Sequence, residues 1–174
     1  PGALGNSLKV SVCASSNAYF NDNVSLVNDS SNYAVGATAI TVDAGASFLV
    51  GDIIQFASHS QQYSVTGISS NTLTIKAINQ PSAGLVQAVA DNEQIDRFWE
   101  HYALFDKAPG SSAGAVAAGA SNDEIHVVVE DEDGLFTGTA GTVLESFGFV
   151  SLASDAKDSV GNSNYYRDVI ERQS

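Results

Sequence analysis

The feature that most constrains this chain is a series of short segments between residues 38 and 89 in which apolar and polar residues alternate. Period-two alternation is typical of half-buried strands. Turn-forming residues such as Gly45, Gly51, Asn71 and Pro81 separate the segments. Short strands at near-regular spacing favour a small barrel or sandwich. The predicted strands are 38–42, 53–56, 62–68, 72–77 and 85–89, and the sequence therefore predicts an inserted all-β module at residues 30–90.

The residues on either side of this module have more charge and a mixed pattern. Residues 8–13, 125–129 and 142–152 are predicted strands, whereas Tyr166, Val169 and Ile170 form a helical stripe near the end of the chain. Residues 21–32 are dense in Asn, Asp and Ser, which favour turns. The predicted fold class is α+β: a mixed-sheet framework domain, discontinuous over 1–29 and 91–174, that carries the β module.

One segment of the framework has two interpretations. In "DNEQIDRFWEHYALF", Ile95, Phe98, Trp99 and Tyr102 recur at the spacing of one helix face. Asp91 or Asn92 could cap this helix at its start. We expect a helix here, with a strand as the alternative because Phe and Trp also suit strands.

Charge and cysteine content exclude several functions. The 174 residues include 20 acidic and 7 basic side chains, a formal charge of −13. Such a field repels phosphate backbones and anionic lipid, so we expect neither nucleic acid nor a membrane as partner. No apolar run approaches the roughly 18 residues of a membrane-spanning helix. Cys13 is the only cysteine, which excludes an intramolecular disulfide and a cysteine-based zinc cluster.

The stretch "SNDEIHVVVEDEDG", residues 121–134, carries six carboxylates and His126 around three valines. A calcium loop of the EF-hand type with Gly134 at its sixth position would place Val129 first and Ala140 twelfth, where oxygen ligands are required. A looser calcium site remains an alternative. The main interpretation is a hairpin turn at Asp133–Gly134 whose acids stay in water, and no metal site is predicted.

Motifs of catalysis and cofactor binding are incomplete. Residues 110–114 spell the G-x-S-x-G elbow of hydrolases around Ser112, with Asp123 and His126 downstream, but His126 follows too closely for the usual topology. Gly114 and Gly119 open like a phosphate loop, but Ala120 stands where lysine is required. The sequence therefore predicts no catalytic residue, no cofactor and no enzymatic activity.

Four stretches, in order, resemble the contractile tail sheath proteins of myoviruses. "PGALGNSLKVSV" (1–12) resembles the family's P-G-x-x-G-N-x-x-x-V segment, and "FDKAPGSSAGA" (105–115) resembles its F-D-x-A-P-G-T-S stretch with Ser111 in place of Thr. Residues 122–147 and 151–174 resemble the segments that follow. Residues 30–90 do not match this framework, although they are similar in texture to the small variable barrels inserted in large sheath subunits.

The resemblance implies a structural role in the virion. Sheath subunits stack as hexameric rings around a tail tube after assembly in the host cytoplasm, and contraction moves whole subunits as rigid bodies. The implied partners are other sheath subunits. The tube would be contacted through parts of the full-length protein outside this chain, which resembles a middle or outer portion. Within it, Asp131, Glu132 and Asp133 are candidate interface acids that could meet basic patches on neighbouring subunits, so reversing the charge of Asp131 and Asp133 is expected to alter sheath assembly.

A second function is a binding module on the virion surface, in which the β module recognises a carbohydrate or a receptor. Exposed aromatic side chains would be its signature. Tyr63, Phe48 and Phe56 are the candidates, although alternation places Tyr63 and Val65 on one face and core packing would explain them equally well.

Overall fold

The computed structural model describes residues 3–80 and 84–173, and the chain divides into two compact units. The first unit combines Pro1–Tyr19 with Ala103–Ser174, and the second is Phe20–Tyr102. Each contains one antiparallel sheet. The chain is thus a sheet-rich α+β protein with few helices, in agreement with the predicted class at this coarse level.

The described residues form nine strands and three α-helices. The strands are β1 (Leu8–Cys13), β2 (Phe20–Leu26), β3 (Ala39–Thr41), β4 (Ile53–Phe56), β5 (Gln62–Ser69), β6 (Thr72–Ala77), β7 (Gln94–Phe98), β8 (Glu124–Asp131) and β9 (Thr142–Ser151). The helices are α1 (Ser16–Tyr19), α2 (Ala113–Ala117) and α3 (Tyr166–Gln173), with 3-10 turns at Ala3–Ser7, Gly45–Ser47 and Tyr102–Leu104.

In the first unit, β8 is the middle strand of a three-stranded sheet ordered β1-β8-β9. Consecutive residues of β8 are buried, because both of its faces are covered. Helix α3 packs its apolar stripe on one face, where buried side chains form a core: Ile125, Val127, Phe147, Val150 and Val169, with Tyr166 and Ile170 against them. The predicted strands 8–13, 125–129 and 142–152 and the C-terminal helix are confirmed.

The second unit is built on a six-stranded sheet ordered β2-β7-β4-β5-β6-β3. Alternating residues of β4, β5 and β6 point inward, as the period-two pattern predicts. Beyond the ends of β2 and β3, Val27 and Val42 form an antiparallel bridge. The core is one cluster of fourteen buried side chains: Val27, Ile40, Val42, Phe48, Ile54, Phe56, Tyr63, Val65, Leu73, Ile75, Ala77, Leu85, Val89 and Ile95.

The predicted helix after residue 91 is wrong, and the alternative of a strand is correct. Residues Gln94–Phe98 form β7, which pairs with both β2 and β4. Ile95 is fully buried opposite Phe56, whereas Phe98 is only half-buried. Ile95 is therefore the buried position of a central strand, and an aromatic segment follows this strand. The pairing of β7 with a strand on each side outweighs the helical spacing of its apolar residues.

Two further segments differ from the sequence prediction. Residues 85–89 do not form a strand, although Leu85 and Val89 are buried as the pattern predicts. Their backbone groups form hydrogen bonds with the irregular segment 33–37, at Tyr33, Gly36 and Ala37. Residues 21–26, part of the segment 21–32 predicted as turn, belong to β2. A bulge between Asn21 and Ser25 accommodates the polar residues there, with Asn23 in the left-handed region at φ 46°.

The observed units divide the chain at residues 19/20 and 102/103, outside the limits of the predicted 30–90 module. Strands β2 and β7 account for the difference. They pair with each other, and β7 also pairs with β4, so both belong to the six-stranded sheet. No helix in the described ranges has the length and apolar character to cross a bilayer.

A matched pair of leucine truncations tests the core of the second unit. Leu73 is fully buried whereas Leu49 is 66% exposed, in the same unit. Leu73→Ala is expected to lower the free energy of unfolding by about 2–5 kcal/mol because it opens a cavity. Leu49→Ala should change it by less than about 0.5 kcal/mol. Denaturant unfolding followed by fluorescence of Trp99, the only tryptophan, measures both, and equal losses would contradict this core.

Candidate functional site: the acidic loop

The predicted interface acids lie where β8 turns back into β9. Asp131 pairs in register with Thr142, and residues 132–141 connect the strands. The predicted tight turn at Asp133–Gly134 is therefore a longer loop. Gly134 has φ +81°, and an added Cβ there would lie 2.8 Å from the backbone nitrogen of Ala140, so glycine is required. We name residues 131–141 the acidic loop.

A buried carboxylate organises this loop. The side chain of Asp131 is fully buried. Its Oδ2 accepts hydrogen bonds from the backbone of Phe136 (3.0 Å) and Thr137 (2.7 Å) and from the Thr137 hydroxyl (2.8 Å). Burial alone would raise the pKa of Asp131, but the hydrogen bonds from Thr137, Phe136 and Gly134 outweigh burial and hold the pKa below its ordinary value.

The other two acids face solvent. Glu132 and Asp133 are both exposed. The backbone N–H of Glu132 donates to the carbonyl of Ser7 at 2.8 Å, and the hydroxyl of Ser7 donates to Asp133 Oδ2 at 2.8 Å. Asp133 Oδ1 accepts from the backbone of Leu135 at 3.0 Å. Hydrogen bonds at the backbone of Glu132 and Leu135 therefore hold the segment that carries the two charges.

Two large apolar side chains stand beside these charges. Leu135 is 58% exposed and Phe136 is 49% exposed. The hydrogen bonds of Asp131 and Asp133 fix the backbone of both residues. Exposed apolar side chains grouped on a fixed loop are a feature of protein contact surfaces.

The structure separates the three predicted acids into two classes. Glu132 and Asp133 are available to a partner, whereas the carboxylate of Asp131 is enclosed by its own loop. Within the acidic loop, no three carboxylate oxygens from different residues lie within 4.8 Å of one another. The prediction that all three acids stay in water is wrong for Asp131, because β8 extends past the predicted strand end at residue 129 and includes this residue.

The residues of the G-x-S-x-G motif have structural contacts. Ser112 caps α2, and its hydroxyl accepts from the backbone of Ala115 at 3.2 Å. Asp123 accepts from the backbone of Ser112 at 2.7 Å and from the hydroxyl of Ser151. Burial would raise the pKa of Asp123, but hydrogen bonds from these two serines lower it.

His126 is held by backbone groups and aromatic rings. Its Nε2 lies 3.0 Å from the carbonyl of Lys107, and its Nδ1 accepts from the backbone of Phe149 at 3.1 Å. This pairing defines the neutral ring with hydrogen on Nε2. The ring stacks on Phe105 at 4.1 Å between centroids. Burial lowers the pKa of His126, despite opposing contributions from Lys107 and Glu124. No pattern in the sequence indicates this aromatic enclosure.

The aromatic candidates of the second unit are core residues. Tyr63 and Phe56 are fully buried and Phe48 is 3% exposed. The hydroxyl of Tyr63 lies 2.8 Å from His59 Nδ1 and accepts from the backbone of Val86. None of the three can stack on a ligand at the surface.

Comparisons of this chain with protein-family models, with curated proteins and with solved structures found no match.

A charge-neutral replacement tests the role of Asp131. Because its pKa is lower in the folded chain than in the unfolded chain, its ionised form stabilises the fold above about pH 4, and this stabilisation is lost as the pH falls through the folded pKa. Asp131→Asn is expected to lower the thermal midpoint clearly at pH 7, with a difference from the parent chain that shrinks towards pH 3. Glu132→Gln is the control and should change little. A midpoint unchanged by Asp131→Asn would contradict the assignment.

Proposed function

We propose that this chain is a structural part of a contractile tail sheath subunit of a bacteriophage. In this proposal it packs in helical or hexameric rings around the tail tube of the virion and moves as a rigid body on contraction. Its partners are other sheath subunits, and the tube is contacted by parts of the full-length protein outside this chain. We assign it no catalytic role and no cofactor.

The observation that carries the proposal is the location of the four sheath-like segments. Residues 1–12, 105–115, 122–147 and 151–174 all belong to the first unit, although residues 20–102 intervene in the sequence. Segments that resemble one family in order, and that also belong to one compact unit, are expected of a shared framework. The second unit, by contrast, has no stretch that resembles the family.

Contacts among these segments support the same proposal. In the F-D-x-A-P-G-like stretch, Phe105 stacks on His126, and the carbonyl of Lys107 accepts from the same ring. The backbone of Gly110 donates to Glu124 Oε2 at 3.0 Å. The second sheath-like segment is therefore bonded to the third, and the residues that carry the resemblance also hold the unit together.

We further propose that the second unit is a small barrel inserted in this framework. Hydrogen bonds at the ends of β2 and β3, the two outer strands of the six-stranded sheet, support this proposal. The backbone of Asn28 donates to Thr41 at 2.9 Å, and that of Asp43 donates to Leu26 at 3.0 Å. Such bonds bring the two ends of the sheet together, and closure protects edges that would otherwise pair with other chains.

In this proposal the acidic loop is a contact between neighbouring subunits. Glu132 and Asp133 supply negative charge, and Leu135 and Phe136 supply apolar surface. Repeated contact between two different patches generates helical arrays. Because the hydrogen bonds of Asp131 fix the loop, the contact would be presented in the same geometry in every subunit, as rigid-body switching requires.

Charge reversal in the full-length sheath protein tests this contact. Glu132→Lys together with Asp133→Lys is expected to prevent or strongly reduce sheath assembly, since like charges would replace the proposed complementary pairs. Asp155→Lys is a matched control on an exposed acid of the same unit and should assemble normally. Electron microscopy of assembled tails measures the result. Normal sheaths from the double variant would refute the interface, and a full-length protein that forms no sheath under any condition would refute the function.

A further inference from the structure

The second unit carries a groove on the outer face of its sheet that the proposed function does not use. Two adjoining depressions, of about 390 Å³ and about 280 Å³, share Ile78, Asn79 and Gln80. Gln55 on β4 and Gln62 on β5 are register partners and line the larger one, together with Gln61. The groove thus crosses the middle of the sheet and ends at the turn after β6.

The lining is neutral and rich in amides. Although the chain has 20 acidic residues, no carboxylate of the described residues lines either depression, and Lys76 is the one charged side chain that does. Side-chain amides supply both donors and acceptors. Such a lining complements a ligand whose groups also both donate and accept.

Several of these amides are fixed in advance. Gln55 donates to the carbonyl of His59 at 2.8 Å, and Gln62 Oε1 accepts from the hydroxyl of Tyr102 at 2.8 Å. Gln61 Nε2 donates to the carbonyls of Gln62 (2.7 Å) and Ile78 (2.9 Å). With both donors of Gln61 engaged inside the protein, its Oε1 is left as an acceptor. Fixed side chains lower the entropic cost of binding a ligand.

The same features exclude other classes of ligand. A single lysine cannot neutralise a phosphate backbone, which excludes an oligonucleotide. The absence of lining carboxylates disfavours a metal ion. Strands β4, β5 and β6 are each paired on both sides, so a peptide cannot add to the sheet as a further strand there.

We propose that this groove binds an uncharged saccharide. Saccharide hydroxyls both donate and accept, and they complement a lining in which Gln61 offers an acceptor and the exposed amides of Asn79 and Gln80 offer donors and acceptors. The half-buried side chain of Ile78 offers an apolar surface to a sugar ring. Some small five-stranded β-barrels bind oligosaccharides on the face of two of their strands. The proposal is independent of the sheath role.

Nitrogen-15 NMR titration of the whole chain with neutral oligosaccharides tests it, with maltohexaose, chitohexaose and mannohexaose as probes. We expect one of them to shift the side-chain amide signals of Gln55, Gln61 or Asn79 saturably. Asn79→Asp combined with Gln80→Ala should weaken that binding at least about fivefold, the effect of one lost hydrogen bond. Both residues are exposed in a turn, and aspartate tolerates the φ of 63° at position 79, so the fold is expected to persist.

Gln87→Ala is the matched control, because Gln87 is an exposed amide of the same unit outside the groove. It should bind like the parent chain. Three results would overturn the proposal: no shift with any probe at millimolar concentration, binding that the Asn79/Gln80 double variant retains in full, or saturable binding of a peptide or an acidic saccharide at these amides instead.

Discussion

The first unit depends on one cluster of side chains around His126. Its two chain segments are far apart in sequence. They pair as β1 and β8, and the hydroxyl of Tyr19 also donates to the carbonyl of Phe105 at 2.8 Å. The ring of Phe105 stacks on His126, which accepts a hydrogen bond from the backbone of Phe149. The cluster therefore joins the end of the first segment, the start of the second, and strands β8 and β9. An added Cβ at Gly148 would lie 3.0 Å from the ring of Phe105, which explains why the ring requires glycine beside it.

The regular strands could be predicted from the sequence, whereas the elements that link them could not. In six strands the local sequence pattern matches the observed burial, so it is sufficient to predict them. The pattern is period-two alternation or, in β8, a run of valines; the strands are β1, β4, β5, β6, β8 and β9. The helix prediction for β7 is wrong because the spacing of Ile95 and Phe98 also fits a helix. Only the pairing of this segment with β2 and β4 decides between a helix and a strand. Strand β2 was missed because its bulge places polar residues, such as Asn23 in the left-handed region, inside a paired segment.

The charge of residues 131–133 indicates the candidate site, but it does not indicate the role of each acid. Composition indicates that Asp131, Glu132 and Asp133 cluster, and it cannot tell which carboxylate bonds to its own backbone. Asp131 satisfies N–H groups of the loop, while the other two carry the exposed charge. The exposure of Leu135 and Phe136 depends on the loop conformation, which the local sequence pattern does not predict.

These observations combine into one physical account: a framework made of two distant segments is interrupted by a second unit, and a loop fixed by hydrogen bonds connects β8 to β9. The central claim is that the framework is complete without residues 20–102. The most direct test replaces these residues with a short Gly/Ser linker and records the NMR spectrum of the product. The account predicts a folded protein in which the ring protons of His126 keep the upfield shifts that stacking on Phe105 produces. A spectrum without dispersion, or without those shifts, would contradict it.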